Sequence, residues 1–395
     1  MRITRLLRFS LVQPVAACLI LTAGILLSIG TPGCNTKNEP AKAESVMIGE
    51  FASLTGNQAT FGQSQHNGLK LAIDEINANG GVLGKKINLM TEDDQSKSEE
   101  AATVVQKLIN RDNVVAIIGE VASSNTLAAA PICQNEKIPL LSPASTNPKV
   151  TEIGDYIFRV CYIDPFQGTA NANFAYNTLH AKNVAVLKDN RNDYSVGLAK
   201  YFDSTFTALG GTIIDETTYS NGDKDFNAQL TSLKGHNPDA IFIPGYYTDI
   251  NLIAIQARDL GITCTLFGGD GWDSPELIGG KGKEALENCY FTTHCSMDDT
   301  NATVQNFVKQ FKAAYGTTPD AIAALGYDAG KIMIDAIRRA NSVAPDAIRT
   351  QLAATKGFPG VTGNITIDPR RNATKPLVVL KISGAAFHYF STIQP

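Results

Sequence analysis

The 395 residues carry 34 basic and 38 acidic side chains, a formal net charge of −4, with 44% hydrophobic and 18% charged residues. This is globular composition with apolar material for two cores, and the length suits two domains better than one. No basic run or basic aromatic stripe occurs, so nucleic acid is not the expected partner.

Arg2, Arg5 and Arg8 precede an almost wholly apolar run over residues 9–29, and small residues follow in Thr31-Pro32-Gly33-Cys34. That order predicts an export signal over residues 1–33, with Cys34 as the lipidated first residue of the mature chain. Thr31 stands where such signals usually carry Leu. An uncleaved anchor or soluble secretion are the alternatives, and each delivers the chain outside the cytoplasm. Polar residues 34–44 read as a tether holding the domain off the membrane.

The first structured unit is a strand at 47–50, a polar loop at 53–62 and a helix. Leu69, Ala72, Ile73 and Ile76 give that helix one buried face. Asn79-Gly80-Gly81 stops it, and the next strand begins at 87–90. The loop between strand and helix is rich in Thr, Asn, Gln and Ser, with Phe61 its one large apolar residue. In an open α/β sheet such loops lie at the ligand crevice.

Strands and helices then alternate. Strands are predicted at 114–118, 138–141, 157–160, 184–187, 212–218, 240–243 and 265–267. The helices between them fall at 98–110, 125–135, 165–179, 196–209, 226–233 and 250–260. Helices at 304–315, 321–340 and 345–354 follow, then strands at 365–367, 377–382 and 387–390. Apolar strands separated by helices imply parallel sheets covered on both faces.

Enzyme chemistry finds no constellation. There is no G-x-S-x-G elbow and no H-E-x-x-H, and residues 80–86 lack Walker spacing and follow a helix rather than opening one. The five His are scattered and no Cys spacing suits a metal, so no cofactor or metal is expected. Beyond Cys18 and Cys34 stand Cys133, Cys161, Cys264, Cys289 and Cys295. Cys264 and Cys289, each at a strand start, could pair as a disulfide; equally, all five could be buried small hydrophobes.

The loops do offer groups for a zwitterion. Ser123-Ser124-Asn125 opens a helix, where hydroxyls and backbone N–H groups suit a carboxylate, or where Ser124 merely caps. Ala144-Ser145-Thr146-Asn147 follows the next strand and adds a second hydroxyl, or is an ordinary turn. Asp270, in a glycine-rich setting, could pair with an ammonium group or serve the turn. Tyr246 and Tyr247 could face a ligand or pack beneath the loop.

Together these loops resemble the periplasmic leucine/isoleucine/valine-binding protein family, the substrate-binding components of branched-chain amino-acid ABC transporters. The matching stretches are LTGNQATFGQSQHNGLKLAIDEINANGGVLGKKINLMTEDDQS, AIIGEVASSNTLAAAP, IPLLSPASTNPKVTE, DFNAQLTSLKGHNPDAIFIPGYYTDINLIAIQARDLGI, FGGDGW and ALGYDAG, in order. The resemblance implies an α/β type I periplasmic-binding fold, two Rossmann-like lobes with parallel sheets joined by a three-crossover hinge. It would place 45–162 and 293–373 in one lobe and 163–292 and 374–395 in the other. It implies a monomer that captures an amino acid and delivers it to a membrane permease. Relatives of this fold also bind amides, urea-like molecules and aromatic acids, and a sensor feeding a receptor would look the same.

By the same likeness, Ser123 and Thr146, with backbone at Ala144, hold the ligand α-carboxylate. Asp270 takes the ammonium, with Tyr246 near that charge and Phe61 and Tyr194 around the ligand. Trp272 and Tyr327 are further candidates for the side-chain pocket. Asp270 departs from the family's usual Glu, and one methylene less draws the carboxylate back by about 1.5 Å. The ammonium then needs a closer lobe, a water bridge or another group.

Overall fold

A computed structural model describes residues 45–395; the expected signal over 1–33, the lipidated Cys34 and the tether over 34–44 lie outside the described residues. The first half alternates β1 (Val46–Ala52), α1 (Ala59–Ala78), β2 (Ile87–Asp93), α2 (Ser98–Asn110), β3 (Ala116–Ile118), α3 (Ser123–Asn135), β4 (Leu140–Ser142), the short α4 (Lys149–Glu152) and β5 (Ile157–Arg159). The strands form one parallel sheet in the order β2-β1-β3-β4-β5. Its central strand, β3, is apolar throughout, as a sheet covered on both faces requires.

The chain then crosses into a second sheet. α5 (Asp164–Asn173), β6 (Asn183–Asp189), α6 (Asp193–Ala208), β7 (Thr212–Tyr219), α7 (Asn227–Gly235), β8 (Ala240–Phe242), α8 (Tyr247–Asp259), β9 (Thr265–Gly268), α9 (Pro275–Gly279) and β10 (Tyr290–Thr293) build its parallel part. A second crossing leads to α10 (Ala302–Tyr315), α11 (Ala321–Ala340), α12 (Pro345–Ala353) and the small antiparallel strands β11 (Phe358–Gly360), β12 (Gly363–Ile367) and β13 (Ala373–Thr374). A third crossing returns β14 (Leu377–Ser383) and β15 (Ala386–Ile393) to the second sheet, whose order is β15-β14-β10-β9-β8-β6-β7. We call the two halves the first and second lobes after their sheets.

α10 and α11 belong to the first lobe, and α11 packs along α1. The close approach needs glycine: a Cβ on Gly68 would stand 1.8 Å from the Ala323 carbonyl oxygen. α11 spans the expected residues, from the Asp320 cap, whose side chain accepts from Ala323 N, to Asn341 at φ 47°.

Two expectations are corrected. The helix expected over 165–179 is α-helical only to Asn173 and continues as a π-helical turn, Phe174–Thr178. The strand start expected at Cys289 opens β10, Tyr290–Thr293. The five cysteines, Cys264 and Cys289 included, are all free. Cys289 lies against the Arg258 guanidinium, and Cys133, Cys161 and Cys289 fill core space.

Candidate functional site

Phe61, Val121, Ala144, Thr146, Tyr194, Tyr246, Asp270, Gly271 and Ile322 line one narrow cavity between the lobes. Each stands where a strand hands over to a helix, or in a helix's first turn. Phe61 lies in the first turn of α1, Val121 between β3 and α3, and Ala144 and Thr146 just after β4. Tyr194 opens α6, Tyr246 caps α8, and Asp270 and Gly271 form a 3₁₀ turn after β9. The crevice at the carboxyl ends of parallel strands is thus shared by both sheets.

The first-lobe wall suits an anion. α3 begins without a side-chain cap, so its first-turn amides face outward. Ser123 Oγ accepts from Asn147 N (3.2 Å), which ties the two loops together and leaves the hydroxyl proton unspent. Thr146 is buried, and its Oγ1 has no hydrogen-bond partner.

Opposite lies the carboxylate of Asp270, 5% exposed. Oδ1 accepts from Gln167 Nε2 (2.9 Å), and Oδ2 lies 3.0 Å from His294 Nε2. Burial pulls the His294 pKa down to about 4 against the opposing pull of Asp270, so the ring is neutral near pH 7 and donates as a dipole. Tyr162 stacks on it (4.0 Å, 25°). A carboxylate accepts about four hydrogen bonds, so Asp270 retains capacity for a ligand ammonium.

Between these poles lie ring faces. Tyr194 stacks on Tyr246 (5.2 Å, 9°), and Phe61 meets Tyr246 edge-on (5.8 Å, 82°). Burial pushes both tyrosine phenols well above their ordinary range, so they stay protonated. Tyr194 Oη accepts from Gly271 N (3.1 Å). A Cβ on Gly271 would stand 2.5 Å from the Gly245 carbonyl, so glycine lets the Asp270 turn sit this close to the α8 loop. The lobes also touch directly. Ser124 Oγ bridges Asp193 (3.0 Å to Oδ2, 3.2 Å from N), Asn147 Nδ2 donates to Asp193 O (2.8 Å), and Thr60 N donates to Tyr247 Oη (3.3 Å).

Six expected residues therefore share one cavity: Phe61, Ala144, Thr146, Tyr194, Tyr246 and Asp270. Ser123 stands behind the wall, and Ser124 bridges lobes instead of capping α3. Trp272 and Tyr327 are corrections. The Trp272 indole is fully buried in the second lobe, donating to Ile243 O (2.9 Å) and stacked near Phe291. Tyr327 donates to Glu75 Oε2 (2.7 Å) and packs on Phe307, joining α11 to α1 and α10 away from the cavity. Val121, Gly271 and Ile322 were not foreseen. The first two adjoin expected residues, whereas Ile322 reads in sequence as one more core residue of α11.

The periplasmic binding protein family model matches residues 45–386. The chain belongs to the periplasmic leucine/isoleucine/valine-binding protein family. The Leu/Ile/Val-binding protein BraC3 of Rhizobium johnstonii is 29% identical over 329 residues, 83% of this chain and 88% of that protein. Among solved structures, the leucine binding protein LivK of Thermotoga maritima is 43% identical with a TM-score of 0.85, covering 89% of this chain and 99% of its own. The branched-chain amino acid transporter substrate binding protein LivJ of Streptococcus pneumoniae, in complex with isoleucine, is 33% identical with a TM-score of 0.85, covering 89% and 100%. This chain has the type I periplasmic-binding fold of that family.

Proposed function

We propose that the protein is an extracytoplasmic solute-binding protein that captures a small amino acid, branched-chain or otherwise aliphatic, and presents it to an ABC permease in the membrane. The observation that carries this reading is the small interlobe cleft that brings the Asp270 carboxyl, the Thr146 hydroxyl and the apolar Phe61, Val121 and Ile322 together. The ligands named for LivK and LivJ support the same class. A ligand carboxylate takes the α3 amides with Ser123 and the Thr146 backbone, its ammonium takes Asp270 and the Thr146 hydroxyl oxygen, and its side chain lies among the apolar residues.

The lobes we assign are 45–162 with 293–373 and 163–292 with 374–395, hinged at the three crossovers. Ligand that touches both walls favours closure by its differential affinity for the closed form. One chain supplies both walls, so a monomer suffices, and Cys34 would tether it at the outer face of the membrane. The role is binding without turnover.

Thermal unfolding of the full-length protein against the twenty amino acids tests this. Leu, Ile or Val at a hundred times Kd should stabilise the folded state by about 2.7 kcal/mol. A shift confined to amides or aromatic acids would move the function to that solute class, and no shift with any amino acid would contradict the reading.

A further inference from the structure

Asp164 opens α5 just past the first crossover and is fully buried, yet neither of its carboxylate oxygens has a hydrogen-bond partner. Its backbone amide donates to Thr146 O (3.0 Å), which sets the side chain beside the Thr146 hydroxyl. That hydroxyl draws the Asp164 pKa partly back down, but the pair stops short of hydrogen-bond geometry, and Thr146 Oγ1 is itself unpartnered. On the α6 side, a Cβ on Gly197 would lie 3.4 Å from Asp164 Oδ2, so that helix approaches without offering a donor there.

Several titratable groups feel this carboxyl. Arg159 comes from β5, Asp270 from the turn after β9, Cys161 and Tyr162 from the crossover, Tyr194 and Tyr201 from α6, and Tyr246 from the α8 loop. Only Arg159 is a cation; its guanidinium donates to Ser145 O, Pro148 O and Thr151 Oγ1, and its Nε makes no hydrogen bond to Asp164. Asp270 pushes the opposite way. An ionised carboxylate buried without donors is costly enough that the group takes up a proton instead. Burial accordingly pushes Asp164 up to about 8.

We propose that Asp164 is a proton-linked partner of the ammonium subsite, protonated in the ligand-free protein and ionised once a ligand ammonium docks at Thr146 and Asp270, so that capture near neutral pH expels about one proton. This rests on the amino-acid reading above. The ligand arrives as a preformed ammonium, the Asp164 O–H bond breaks, and the proton passes to water. The Thr146 hydroxyl then donates to the new carboxylate and turns a lone pair to the ammonium. Asp164 is thus a positioning residue, and it supplies the additional negative charge that the short Asp270 side chain calls for.

Calorimetric titration of the full-length protein with L-leucine at pH 7, in phosphate and in Tris, reads the proton count from the difference in heat. The expected result is release of about one proton and a Kd that tightens roughly tenfold between pH 6 and 7. Asp164→Asn should bind with heat independent of buffer and a Kd flat across that range. Equal heats in both buffers for the native protein overturn the proposal, even if Asp164→Asn fails to fold. Proton release that persists in Asp164→Asn overturns it as well. If no amino acid gives heat in any buffer, the amino-acid reading itself falls, and this inference with it.

Discussion

Asp270 and Asp164 are two buried carboxylates at one interlobe seam, and they are held in opposite ways. Asp270 is braced by Gln167 and His294 and presents itself to the cavity. Asp164 sits behind Thr146 with no donor at either oxygen. Their difference teaches how a site divides its labour: a carboxyl held by donors is already positioned for a ligand cation, whereas one without donors is costly to ionise until a cation arrives.

The largest expected effect comes from removing the charge that is braced. Asp270→Asn with Thr146→Ala deletes an ionic partner and a hydroxyl, each worth roughly 1–3 kcal/mol when buried. Leucine affinity should fall at least about thirtyfold by titration calorimetry. A loss below tenfold would place the ammonium elsewhere.

Next comes the pH dependence of ligand-free stability. Burial raises Asp164 and Asp273 to about 8 and Asp203 and Asp249 to about 7. The folded protein therefore keeps protons that the unfolded chain releases above about pH 4, and these groups lower stability as pH climbs from about 4 to 8. His294, lowered to about 4, acts the other way, but only up to about 6.5. Lys375, lowered to about 8, restores stability only above that pH. The unfolding midpoint should fall between pH 6.5 and 8, and Asp164→Asn should shallow that fall by up to about 1.4 kcal/mol per pH unit. A midpoint flat over this interval would mean that the buried carboxylates are ionised throughout.

Closure is a smaller lever. Asp193→Ala removes the carboxylate bridge to Ser124 and should weaken leucine binding by about two- to fivefold through faster release, a change within the modest range of half-exposed contacts. Smallest of all, Tyr327→Phe should leave Kd unchanged, since its phenol serves Glu75 rather than the cavity. A measurable loss of affinity there would return Tyr327 to the site.

The alternating fold was legible because its central strands, such as Ala116–Ile118 and Ala240–Phe242, are apolar on both faces. β10 was legible only as a strand start at Cys289, because two of its positions are hydroxyls. Thr292 receives hydrogen bonds from Gln167 and Asn171, and Thr293 donates to Asp273, so no hydrophobic period marks the strand. Within the site, residues in strand-to-helix loops, Thr146 and Asp270 among them, were readable from their position. Trp272 and Tyr327 were not, because an aromatic residue beside a binding loop can face the core as readily as the ligand. Asp164 was invisible for a different reason: Asp-Pro at a helix start reads as an ordinary N-terminus, and its lack of donors exists only in three dimensions.

The most direct test of the central claim is titration calorimetry of the full-length protein with L-leucine, L-isoleucine and L-valine. One-to-one saturable binding by at least one of them, lost in the Asp270→Asn, Thr146→Ala protein, is the predicted result. Absence of binding by all three, or binding unchanged in that variant, would contradict it.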